Sequence, residues 1–92
     1  MIKSFGDRRM QRLFEDGIVR EFSDIARRAK RKLEAIHAAA RLDDLRIPPS
    51  NCLEKLHGDR HGFYSIRIND QWRIVFQWIE NNAHKVEICD YH

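Results

Sequence analysis

The sequence predicts an α+β domain in which a short amino-terminal strand and a helical pair pack on one face of a twisted antiparallel sheet. Two observations carry that class. Apolar residues recur every three or four positions ahead of Pro48-Pro49 and every second position after it, so the period changes from helix to strand at the prolines. Helices gathered ahead of strands, instead of alternating with them, segregate to one side of an antiparallel sheet. The 92 residues are enough for one core but not two, and residues 1–92 read as a single domain.

Each element has a local reason. Residues 2–5 form a short first strand. Asp7 offers an N-cap, Met10, Leu13 and Phe14 make an apolar stripe, and Gly17 stops the helix. Ser23 or Asp24 caps a longer helix that turns Ile25, Ala29, Leu33, Ile36 and Ala40 to the core. Leu42 and Leu45 add a turn that Pro48-Pro49 ends. Cys52 to His57 is extended, and Gly58-Asp59 turns the chain. Tyr64, Ile66 and Ile68 then alternate with Phe63, Ser65 and Arg67, and Asn69-Asp70 makes a hairpin turn. The next strand sets Trp72, Ile74, Phe76 and Trp78 against Arg73, Val75, Gln77 and Ile79. Asn81-Asn82 leads into a last strand carrying Val86 and Ile88. The aromatic face belongs under the helices. The face with Ser65, Arg67, Arg73 and Gln77 is polar and basic, and a site belongs there.

Composition narrows the partners. No apolar run approaches the ~20 residues of a membrane span, so no membrane partner is expected. The opening residues lack the apolar stretch of a signal peptide. Cys52 and Cys89 lack paired spacing and read as reduced core thiols of a cytoplasmic protein. The net charge of +3 is unevenly spread. Residues 1–46 hold 12 Lys/Arg and 8 Asp/Glu, against 5 and 6 in residues 47–92. The excess is densest in Arg27-Arg28-Ala29-Lys30-Arg31-Lys32, which fits either a polyanion partner or a solvated helix face.

The chain ends on Asp90-Tyr91-His92, a carboxylate, a phenol and an imidazole where a small domain is usually expendable. Metal-free cleavage of an RNA phosphodiester needs a base for the 2′-hydroxyl, an acid for the leaving oxygen and positive charge beside the phosphorane. His suits the proton transfers, and the fork of an arginine matches phosphate oxygens. Arg73 is the candidate for the charge and His92 for acid or base. Tyr91 could stack on the substrate or bond phosphate, and Asp90 could orient His92 or take the proton itself. Asp90 also falls in phase with Val86 and Ile88, so a place at the core rim fits equally. Lys55, His57, Arg60 and His61 surround the Gly58 turn and could grip a phosphate backbone. His57 and His61 lack a second ligand pair, so neither metal nor cofactor is expected. The chain has no glycine-rich phosphate loop and no nucleophile signature.

The block Lys55-Leu56-His57-Gly58-Asp59-Arg60-His61-Gly62-Phe63-Tyr64-Ser65-Ile66, then Asn69-Asp70-Gln71-Trp72-Arg73-Ile74, then Asp90-Tyr91-His92, resembles HigB toxins. The opening Met1-Ile2-Lys3-Ser4-Phe5 matches as well. HigB toxins belong to the RelE/ParE superfamily of bacterial type II toxin–antitoxin systems. The resemblance implies a RelE-like sheet carrying helices and cleavage of mRNA in the ribosomal A site. It implies neutralisation by a helix-turn-helix antitoxin, HigA, with operator DNA reached through that antitoxin. The family's active positions fall at Arg73, Asp90, Tyr91 and His92. Contacts to mRNA and ribosomal RNA would come from Lys55, His57, Arg60, Arg67, Arg27, Arg28, Lys30, Arg31 and Lys32. Some relatives place a histidine where this chain has Glu54 and a lysine where it has His57, which shifts the proton-transfer work toward the carboxy terminus. The ParE branch supplies the alternative, a non-catalytic inhibitor of a protein target such as DNA gyrase.

Overall fold

A computed structural model describes residues 1–90, in which two helices lie against a four-stranded antiparallel sheet. The helices are α1 (Arg8–Phe14) and α2 (Ala26–Ala38). The strands β1 (Glu54–Lys55), β2 (Phe63–Arg67), β3 (Trp72–Ile79) and β4 (Asn82–Asp90) lie side by side in chain order. The expected α+β class therefore holds. The first strand is reduced to two parallel bridges onto β4, Ile2 to Ala83 and Phe5 to Val86. Backbone bonds from Lys3 to Ala83 (2.8 Å) and from Gly6 to Val86 (2.9 Å) secure it.

Asp7 caps α1 as expected, accepting the Arg9 N–H at 2.9 Å while its second oxygen holds the Arg9 guanidinium at 2.9 Å. The helix stops at Phe14 for a reason that differs from the simple glycine signal. Asp16, with φ of 65°, is the left-handed residue. Gly17 is required by close approach instead: its N–H reaches the Arg12 carbonyl at 2.7 Å, and a Cβ there would lie 2.4 Å from Arg12 Cγ.

Neither Ser23 nor Asp24 caps α2. The chain stays in tight turns through Arg20–Phe22, and the Ile25 N–H still bonds the Phe22 carbonyl at 3.0 Å. Burying both Phe22 and Ile25 overrides the local capping preference. Ala29, Leu33 and Ile36 are fully buried, but Ala39 takes the place expected for Ala40 because the helix ends at Ala38. Leu45 is buried in the turn Leu42–Arg46, and the Ile47–Pro48 peptide is cis.

The helices press Met10, Leu13, Leu33 and Ile36 onto Ile66, Ile74, Phe76, Val86 and Ile88, one continuous core. Phe22 meets the Trp72 ring edge-on at 5.2 Å. Asn69 makes its expected turn by accepting the N–H groups of Gln71 (2.9 Å) and Trp72 (2.8 Å). The last turn lies one residue early, with Glu80 and Asn81 left-handed and Asn82 already in β4. Left-handed Lys85 coincides with a bulge in the β3–β4 register between Val75 and Gln77.

Burial pushes the Asp7 carboxyl pKa up, but the Arg9 side chain, backbone N–H and charge together carry it below the usual carboxylate value. Such a group stabilises the fold above its unfolded pKa, and the stabilisation is lost as pH falls through the folded one. Asp7→Ala is therefore expected to lower the unfolding free energy by about 1 kcal/mol at neutral pH. In urea titrations that deficit should shrink on acidification below about pH 4.

Candidate active site

The uncovered face of the sheet is not a solvated polar surface. Ser65, Arg73 and Val75 sit at its middle with 2%, 4% and 4% exposure. Strand register sets Glu54, Ser65, Val75 and Glu87 in one row across the four strands. The neighbouring row is Arg67, Arg73 and Cys89. Residues paired across antiparallel strands share a face, so these two rows build the site.

Arg73 is its centre. Its Nε donates to Ser65 Oγ at 2.9 Å and its Nη2 to the Cys52 carbonyl at 2.5 Å. Glu54 Oε1 stands 3.9 Å from Nη1. Cys52 follows the turn Pro49–Asn51 with a left-handed φ of 47°, and its carbonyl lies over the guanidinium. The edge strand and the turn before it thus fix an arginine that alternation alone placed in the open. Nearby, Arg60 bonds Glu87 Oε1 at 2.7 Å and lies over the Phe63 ring. The Glu87 hydrogen bond raises the Arg60 pKa further. Arg67 pairs with Asp70 at the adjoining hairpin turn.

The other sequence candidates divide. Asp90 pairs with Trp72, so it shares the pleat of Trp72 and Ile88 and not that of Arg73. It is exposed there and accepts from Gln71 Nε2 at 3.2 Å. Tyr91 and His92 lie outside the described residues. Lys55 pairs with Tyr64, on the pleat opposite Glu54, while His57 and Arg60 are exposed around the Gly58 turn. On α2, Arg27, Arg28 and Arg31 are exposed. Lys30 turns to α1 instead, bonding the Phe14 carbonyl, pairing with Asp16 at 3.1 Å and lying over the Phe14 ring. Lys32 is half-buried and donates to Asn51 Oδ1.

Two readings need correction. The cysteines are free but are not core residues. Cys52 is exposed at the end of a turn, and Cys89 is half-buried on the uncovered face. Ser65 lies beside Arg73 on the face where the alternation set both, but the sequence reading missed Glu87 and the Cys52 carbonyl as parts of the arginine's surroundings. A backbone carbonyl delivered by a distant turn leaves no comparable signal.

Ser65→Ala removes the acceptor of a buried guanidinium N–H, and an orphaned donor of that kind costs about 1–3 kcal/mol. A urea midpoint lowered by that amount, with little change in slope, is the expected result.

Residues 3–92 match the family model described as the RelE-like toxin of type II toxin-antitoxin system HigB. The chain is 40% identical over 85 residues to Toxin HigB-1 of Vibrio cholerae, covering 90% of each. It is 35% identical over 96 residues to Endoribonuclease HigB of Proteus vulgaris, covering all of both. Among solved structures, YafQ of E. coli superposes with a TM-score of 0.67 at 9% identity, over 99% of this chain and 94% of that one. A chain of the YoeB-YefM complex from Staphylococcus aureus gives 0.62 at 19%, over 100% and 98%. Those structural likenesses are of fold, and they agree with the helix-on-sheet arrangement seen here. By the family match and the identity to two HigB proteins, the chain belongs to the HigB-like family of RelE-like toxins of type II toxin–antitoxin systems.

Proposed function

We propose that this protein is a ribosome-dependent endoribonuclease that cuts mRNA in the ribosomal A site, the toxin half of a pair with a HigA-like antitoxin. The family match, the name of the Proteus vulgaris relative and the chemistry of the open face support the reading. One observation carries it. Arg73 is buried and fixed by Ser65 and Cys52, in register with Cys89, the residue that leads into Asp90-Tyr91-His92.

In this reading the guanidinium stabilises the negative charge that builds on the pentacovalent phosphorus, where a preoriented group acts most strongly. His92 and Asp90 share the acid and base work, with no metal or cofactor taking part. Asp90, held by Gln71 on the opposite pleat, acts from the strand end. Tyr91 orients or stacks on the substrate. His57, Arg60 and Arg67 beside the site, Lys55 from the opposite pleat of β1, and Arg27, Arg28, Lys30, Arg31 and Lys32 on α2, hold the mRNA and the ribosomal RNA by phosphate contacts. Lys30 contributes least, because Asp16 already engages it. Residues 1–92 work as one domain, and operator DNA is reached through the antitoxin.

Mapping mRNA 5′ ends after induction tests this directly. Wild-type protein should produce new ends within translated codons. Arg73→Lys, checked for folding by circular dichroism, should cut roughly 10²–10³-fold more slowly. His92→Gln, or removal of Tyr91 and His92, should abolish growth arrest in a folded protein. Full toxicity of that truncation would remove the carboxy terminus from the mechanism, and DNA damage without new mRNA ends would mark a gyrase-type inhibitor instead.

A further inference from the structure

The uncovered face of the sheet carries a large aromatic ring that the core does not account for. Phe63 opens β2 on the pleat of Ser65 and Arg67, away from the helices. It is half-buried, and among the described residues it does not join the side chains packed on the core. Its row is otherwise polar. Strand register runs from Phe63 to Gln77 and, past the bulge, to His84, which adds an amide and an imidazole on the same side.

Arg60 lies over this ring. Its guanidinium carbon is 5.4 Å from the Phe63 centroid, within the range of a cation–π contact, and its Nη1 bonds Glu87 Oε1 at 2.7 Å. Phe63 belongs to β2 and Glu87 to β4, so two strands fix one guanidinium. The Arg60 side chain still stays 44% exposed. A carboxylate is an unfavourable neighbour for a polyanion, and this one has a further effect. Paired with Glu87, Arg60 adds no net charge with which to grip a phosphate. What the pair offers to solvent is a preoriented planar group resting on an aromatic ring. Unpaired nucleobases stack on arginine planes as they do on aromatic side chains.

We infer that Phe63, Arg60 and Glu87 form a stacking platform for one unpaired nucleobase of the mRNA. That role rests on the function proposed above, and within it Arg60 meets a base in place of a phosphate. Phe63 lies four residues along β2 from Arg67, the cross-strand partner of Arg73, a distance of ~13 Å at the rise of a strand. A base stacked there belongs to a nucleotide beside the one that is cut. Every base has a π face, so stacking holds the strand in place without choosing its sequence. Fixing the guanidinium before RNA arrives lowers the entropy lost on binding.

Titrating the full-length protein, at the concentrations of an NMR experiment, with two 2′-O-methyl trinucleotide backbones tests this. One carries a single adenine at its centre and the other carries no base. The adenine should bring ring-current shifts to the Phe63 ring and the Arg60 side chain, and should bind about tenfold more tightly than the abasic strand. Arg60→Lys keeps the charge and loses the plane. It should bring the two affinities together and leave the dependence of affinity on salt unchanged. Equal affinity of the wild-type protein for both strands overturns the inference, as does binding of neither. An Arg60→Lys protein that keeps the preference for adenine also overturns it, whatever happens to its melting temperature. Mapped mRNA ends separate this from the cleavage reading. New ends from a protein without base preference leave the nuclease intact, whereas stacking in a protein that makes no ends on ribosomes supports the platform and rejects the nuclease.

Discussion

The hydrogen bonding of Arg73 is the constraint around which the uncovered half of this molecule is arranged. A guanidinium loses its hydration on burial and must recover it from protein acceptors. Ser65 supplies one from the adjoining strand, and the Cys52 carbonyl supplies another from a turn 21 residues away in sequence. That second bond explains why a two-residue edge strand and a left-handed cysteine lie where they do. The turn Pro49–Asn51 and β1 close over the arginine and convert a sheet surface into a site. Removing the arginine would leave several oxygens facing each other across the strands, so stability and chemistry share the same atoms.

The helices do the complementary work. Because α1 and α2 seal one face with a continuous apolar core, every polar group in the strands is sorted to the other side or to the rim. The sorting has sharp consequences at the end of β4. Arg73 and Asp90 belong to adjacent positions of the β3–β4 ladder, yet the pleat sends them to opposite faces. A single-residue change of register would exchange those roles. The ties of β4 to the first residues of the chain, through Ala83 and Val86, therefore bear on the site as well as on stability.

Charge is sorted in the same manner on α2. A run of five cations in six positions looks like one basic patch, but a helix advances about 100° per residue and divides it. Lys30 braces α1, while Arg28, Arg31 and Lys32 meet Arg67 across a cleft with a buried asparagine at its base. Proximity in sequence here says little about which cations act together.

Much of the design was legible in the chain. The change of apolar period at Pro48-Pro49 determines the helix-then-sheet order, the alternation through Trp72, Ile74 and Phe76 determines which face is covered, and Asp7 and Asn69 announce their own cap and turn. These are local signals, because helix and strand periods, caps and turns depend on neighbours a few residues apart. The start of α2, the burial of Arg73, the pleat of Asp90 and the grouping of the α2 cations were decided by the tertiary structure. Each depends on a partner far along the chain: Phe22 and Ile25 entering a core built by β3, a carbonyl from residue 52, a register set by a hairpin. The sequence determined which groups were available for chemistry. Packing and strand pairing decided which of them face one another, since those forces act between residues that only the folded chain brings together.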